Sequence, residues 1–191
     1  MLICLHPTTA ALDLTAGTLD CPRTGCAGRL APWGFARPRQ LRGNDATRHR
    51  PRRARCRVCR RTQVLVWARS YPRHPDSVET VTTVLLAATS GLGHRPVAAQ
   101  VALPPTTVRG WLRQARHNSE AVRQHATFVA HALDPLAHPF APTGTPLGDM
   151  LDAVGRAVSA SFRRLGPSGA PNECALVLTH GAILSPIRTA R

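Results

Sequence analysis

At 191 residues, with 43% hydrophobic content but only 4% aromatic, the chain has room for one ordinary domain or two small ones, each needing a further source of stability. Its net charge of +15 and pI near 11.6, carried by 25 arginines and no lysine, call for a polyanionic partner, nucleic acid ahead of a membrane surface. No run approaches the roughly 18–20 apolar residues of a membrane span, and the opening M-L-I-C-L-H-P lacks the charged and apolar regions of a secretion signal, so a cytoplasmic location and six reduced cysteines are expected.

Residues 1–20 form an N-terminal extension whose apolar, threonine-rich run suits either a strand or a short helix. Its Cys4 and His6 have no second ligand pair beside them and read as incidental. Residues 21–67 are different. Cys21 and Cys26, in C-P-R-T-G-C, are answered by Cys56 and Cys59, in C-R-V-C. Two cysteine pairs across a β-prone stretch are how a zinc ribbon supplies four thiolates to one tetrahedral Zn2+. The first pair is wider than the usual C-x2-C, so its loop must bulge. His49 is the one nearby substitute ligand and ranks far behind the cysteines. Strands are expected over residues 30–36, 48–55 and 63–67. In so short a segment with few apolar anchors, a metal is the simplest source of stability.

The same segment holds 11 of the 25 arginines, from Arg37 to Arg61. Arg50, Arg52, Arg53 and Arg55, alternating along a strand, would set a positive comb on one sheet face, fit to lie along a phosphate backbone. The plain alternative for such a run is a solvated segment. Trp33 and Phe35 alternate on the first strand and are assigned to a small core ahead of a base-stacking role.

A proline-rich linker, residues 68–76, leads into a helical domain, residues 77–133, whose first helix is capped by Asp76 or Ser77 and stopped by Gly91 and Gly93. From Val97 to Trp111 the chain reads V-A-A-Q-V-A-L-P-P-T-T-V-R-G-W, which resembles the core of a helix-turn-helix motif. Val97 and Val101 share a face, Leu103 plugs the turn, and Pro105 suits the first position of the second helix. Ala102 stands where such turns usually carry glycine, so strain is expected there. Val108, Trp111 and Leu112 turn inward. This leaves Thr106, Thr107, Arg109, Gly110 and Arg113 as candidate DNA contacts, with Arg95 and Arg116 near the backbone and Arg109 best placed to read a base edge. An ordinary helical hairpin with a solvated polar face would share the same periodicity. The second helix runs toward Leu133, with a break expected near Asn118 and Ser119. Residues 134–146 are a loop. Residues 147–191 hold C-terminal helices, one over residues 147–165 with acids early and arginines late, matching the helix dipole. A closing helix is expected over residues 173–184, with Cys174 a core thiol and His180 a packing or surface residue.

The phrases G-R-L-A-P-W-G-F-A-R-P-R, R-P-R-R-A-R-C-R-V-C and T-T-V-R-G-W-L-R occur in this order between about residues 20 and 118. In them the chain resembles actinobacterial zinc-ribbon plus helix-turn-helix proteins whose function is not known. It is also similar to the N-terminal DNA-binding regions of insertion-sequence transposases. The resemblance implies metal-stabilised DNA binding and an association with mobile elements, with a transposase or recombinase as a partner.

Transposase catalysis would need three carboxylates holding two metal ions on a ribonuclease-H-like sheet. After the helix-turn-helix region the acids are Glu120, Asp134, Asp149, Asp152 and Glu173, on helices and loops with no alternating strands to carry them. The expectation is an α+β chain, a small β zinc ribbon followed by a mostly helical domain, that binds duplex DNA without catalysis as a transcriptional regulator or transposon accessory factor. An RNA-binding or protein-interaction zinc-ribbon module is the alternative. The sequence leaves open whether the last helices form a homodimer.

Overall fold

In the computed structural model, residues 1–42, 48–136 and 141–185 are described. The chain is α+β and divides into two compact units, Met1–Ser77 and Val78–Arg191. The first is a small sheet with one helix. The second is helical, and the part of the 134–146 loop at residues 137–140 lies outside the described residues, as do residues 43–47 and 186–191.

The N-terminal extension is integral to the first unit. β1 (Leu2–Cys4) pairs in parallel with β6 (Thr62–Trp67), placing Leu2 beside Leu65 and Cys4 beside Trp67. A parallel neighbour needs a crossover, and α1 (Pro7–Ala16) begins that connection. Pro7 suits its first turn, and Gly17 ends it in the left-handed conformation at φ +70°. The four-stranded sheet has the order β1-β6-β5-β2, with β2 spanning Leu30–Phe35 and β5 spanning Arg52–Cys56. Ala10 and Leu14 of α1 pack with Leu30, Ala54, Cys56 and Leu65 on one sheet face.

The strand expected over residues 48–55 is divided into β4 (Arg48–His49) and β5, with the break at Arg50 and Pro51. Proline has no N–H for the ladder, and Pro51 contributes only its carbonyl, to the Ala36 N–H at 2.8 Å. β4 pairs instead with a short strand that the sequence reading missed, β3 (Arg39–Gln40). Residues 68–76 are no free linker, since Ala68, Ser70 and Tyr71 are buried. Asp76, 2% exposed, is held by Arg42 through Nε at 3.1 Å and Nη2 at 3.2 Å. Oδ2 accepts the Nη2 hydrogen bond, while Oδ1 meets Nε as a charge contact and has no hydrogen-bond partner among the described residues.

In the second unit, α2 (Val78–Thr89) buries Val78, Val81, Val84 and Leu85. It is followed by α3 (His94–Gln100) and α4 (Pro105–Leu133). The connection between them returns the Leu103 N–H to Ala98 O at 3.0 Å, and Ala102 adopts φ +51°. A Cβ is strained there by roughly 1 kcal/mol or more. α4 is unbroken at Asn118 and Ser119, and the physical reason is that both side chains are satisfied. The buried Asn118 amide donates to Ala182 O at 2.7 Å and Ser185 O at 2.8 Å, while Ser119 Oγ donates to Arg116 O at 2.8 Å.

α5 (Pro146–Leu165) starts at Thr145, whose Oγ1 accepts the Gly148 N–H at 3.1 Å. It packs along α4, and both helices bury small side chains, Ala115, Ala126 and Ala130 on α4 and Ala153 and Ala157 on α5. α6 spans only Pro171–Leu178, shorter than expected. His180 at φ +51° and Gly181 at φ +70° turn the chain out of the helix.

Candidate metal centre and nucleic-acid faces

Two turns bring the four cysteines of the first unit together. In the wider one, Gly25 at φ +75° supplies the bulge and the Cys26 N–H returns to Arg23 O at 3.0 Å. In the other, Arg60 takes φ +61° and the Cys59 N–H points at Cys56 Sγ at 3.4 Å. Cys21 Sγ lies 3.7 Å from Cys59 Sγ, Cys26 Sγ lies 3.7 Å from Cys56 Sγ, and all four sulfurs fall within 4.8 Å of one another. The quartet can hold a metal ion, and His49 is not among these residues.

The protons of this cluster are unevenly held. The Arg61 backbone N–H and the neighbouring thiols draw Cys59 down to about 6. At Cys21 the Arg23 backbone N–H also pulls downward, but burial and the three other thiols outweigh it and push the group up to about 12. The lowered Cys59 group marks a place where negative charge is favoured, as suits a cation-binding cluster. Gly28 closes the site from behind: a Cβ there would lie 2.5 Å from Cys56 Sγ. Sequence reading passed over Gly28. Its position between the cysteine pairs was the available signal.

The basic strand does not present one comb. Cross-strand pairing sets Arg52 with Ala54 and Cys56 on one face, so Arg53 and Arg55 belong to the other, as strand alternation requires. Trp33 and Phe35 are not core residues, at 50% and 46% exposed. The ladder slips between Pro32 and Phe35, with Gly34 at φ +81°, and this bulge separates the two rings. Arg55 covers Trp33 at 4.6 Å from the ring centroid, while Arg50 and Arg52 flank Phe35 at 5.1 and 5.2 Å. Apolar rings stay exposed because guanidinium groups stack on them.

On α4, Val108, Trp111, Leu112 and Ala115 are buried, which fixes the roll of the helix. Thr106, Arg109, Arg113 and Arg116 are exposed, as is Arg95 on α3, and Thr107 and Gly110 are half-buried. Among the described residues none of these four arginines has a carboxylate partner. A Cβ on Gly110 would meet nothing within 4 Å.

The later carboxylates are largely spoken for. Hydrogen bonds from Arg123 and Gln124 hold Glu120 down to about 2, and Arg163 lowers Asp134 from a distance of 2.8 Å. Asp152 pairs with Arg156 at 2.6 Å, and Asp149 accepts the Thr143 N–H at 2.6 Å. Among the described helices none is long and apolar enough to cross a membrane. No protein-family model, curated protein or solved structure matches the chain.

Proposed function

We propose that this protein is a non-catalytic, zinc-stabilised binder of duplex DNA, with Cys21, Cys26, Cys56 and Cys59 holding one Zn2+ and α3–α4 acting as a helix-turn-helix. The observation that carries the reading is the exposed arginine face of α4, whose opposite face is locked in a core. A helix fits the major groove, and arginine offers its planar fork to guanine edges or phosphates. Arg109 and Thr106, within the first two turns, are the reading residues; Arg113 and Thr107 flank them, and Arg95 and Arg116 take phosphates. Gly110 leaves room for the DNA backbone. For the metal, Zn–S bonds of about 2.3 Å in a tetrahedron separate sulfurs by about 3.8 Å, and two of the sulfur pairs stand at 3.7 Å. Four thiolates fill the coordination shell, so the ion stabilises the fold and leaves no open position for chemistry.

As a cytoplasmic regulator or an accessory factor to a transposase or recombinase, such a protein would bind selected sites, and pairing of two copies through the helical unit would give it a two-fold site. A second reading, an RNA-binding ribbon, is favoured by the exposed Trp33 and Phe35 with their stacked arginines. Competition between duplex DNA and structured RNA for the zinc-loaded chain separates the two. Preference for RNA, with α4 variants without effect, would reject the first.

A further inference from the structure

The cysteine quartet contains two sulfur pairs that each cross the gap between its two turns. Cys21 of the first turn meets Cys59 of the second at 3.7 Å, and Cys26 meets Cys56 at the same distance. Within each pair one residue is buried and the other partly exposed. Cys21 and Cys56 are 7% and 0% exposed, whereas Cys26 and Cys59 are half-buried. The pairs join positions 38 and 30 residues apart, and the sheet holds their ends: Cys56 faces Leu30 across the β2–β5 ladder, and the Cys21 N–H returns to Gly28 O at 2.8 Å. The remaining two cysteines stand apart from the quartet. Cys4 Sγ donates to Val66 O at 3.4 Å, and the buried Cys174 lies beside Ser168 Oγ at 3.8 Å.

An accessible cysteine sulfur that is oxidised beside a second one condenses with it to a disulfide, whereas an isolated one stops at the acid. Each cross-turn pair supplies both members, one open to an oxidant and one sheltered behind it. Bonding asks for a closing of about 1.6 Å shared by two side chains. We propose that the quartet is a modification site for peroxides, at which oxidation forms the disulfides Cys21–Cys59 and Cys26–Cys56 and releases the metal. The release rests on the zinc assignment; the pairing does not. In each pair the accessible sulfur, of Cys59 or Cys26, attacks one oxygen of hydrogen peroxide. An S–O bond forms, the O–O bond breaks, and hydroxide leaves and takes a proton from solvent. The buried partner, Cys21 or Cys56, then attacks the sulfenic sulfur, so that S–S forms as S–O breaks and a second hydroxide leaves as water. Each pair gives two electrons to one peroxide, and the quartet turns two peroxides into four waters. The thiolate is the metal ligand, so a quartet of disulfides gives up its Zn2+. Both links cross the gap between the turns, which keeps the turns together without the ion.

The test uses the full chain, its zinc content measured first, and hydrogen peroxide added in steps beside a chromophoric zinc indicator. Thiols are counted by alkylation under denaturant and disulfides are mapped by mass spectrometry. The expected result is loss of four of the six thiols at two peroxides per chain, release of the whole zinc complement, links across the turns only, and recovery on adding dithiothreitol and Zn2+. Cys59→His keeps a fourth zinc ligand but removes one pair, so its thiol loss should drop from four to two, with Cys26–Cys56 the one link formed. Zinc retained under a large excess of peroxide, links within a turn (Cys21–Cys26 or Cys56–Cys59), or sulfinic acid in place of disulfides would overturn the proposal. A chain that carries no zinc refutes the zinc assignment, and the disulfide map of that chain still decides the pairing. Should Cys59→His fail to take up zinc, the wild-type thiol count and map decide alone.

Discussion

Replacing Gly28 by alanine tests the proposed zinc site through the glycine that lies against Cys56. The added Cβ would stand 2.5 Å from Cys56 Sγ and 2.8 Å from Val58 Cβ, whereas ordinary contact begins at 3.4 Å. Either the sulfur withdraws by most of the difference, about 0.9 Å, or the strand carrying it shifts. Metal–ligand distances tolerate only about 0.2 Å. The nearest backbone link, Cys21 N–H to Gly28 O at 2.8 Å, transmits the strain to a second ligand. Zinc affinity is therefore expected to fall about 10- to 100-fold, the scale seen when groups that orient metal ligands are altered. That corresponds to about 1.4 to 2.8 kcal/mol. Competition against a chromophoric chelator measures it. Gly17→Ala is the control, strained at φ +70° but with nothing within 4 Å of its Cβ, and should cost stability with a much smaller effect on zinc. A Gly28→Ala protein that binds zinc as tightly as wild type would refute the arrangement of the four thiolates.

Ala102→Gly should stabilise the helical unit by about 0.5 to 1 kcal/mol, because relief at φ +51° exceeds the added chain entropy; a lowered melting temperature would contradict the turn. Neutralising Arg53 and Arg55 to glutamine should make the salt dependence of nucleic-acid binding shallower by up to about 0.9 per lost phosphate contact, measured as log affinity against log salt. An unchanged slope would assign that sheet face to solvent. Acid should weaken the first unit through His49. Its folded pKa lies below 6.5, so the unfolded chain takes the proton first, and this contribution is present above that value and lost as pH falls beneath it. Denaturant melts at falling pH, at matched zinc content, should show a smaller loss for His49→Gln than for wild type.

Periodicity and punctuation made much of the helical unit legible. The turn after α2, the start of α4 at Pro105 and the inward set of Val108, Trp111 and Leu112 follow from residue type and spacing alone. The cysteine quartet was legible too, because two pairs bracketing a β-prone stretch have few other uses. Three features were not. The place of β1 depends on a parallel pairing of Leu2 with Leu65, which no local pattern encodes. Trp33 and Phe35 look like core by hydrophobicity, and only their pairing with arginines across the bulge explains why they stay outside. Asn118 looks like a helix breaker until the carbonyls of residues 182 and 185 are seen to complete it.

The most direct test of the central claim is selection of bound sites from a random duplex library by the zinc-loaded chain, followed by titration of the selected site and a scrambled one with Arg109→Ala. Arg109 is exposed one turn into α4, beside the buried Val108, and a bidentate arginine–guanine contact is worth about 1 to 3 kcal/mol of discrimination. The expected result is an enriched site containing guanine, with the variant losing about 5- to 150-fold on that site and little on the scrambled one. No enriched sequence, or an equal loss on both duplexes, would contradict reading by α4.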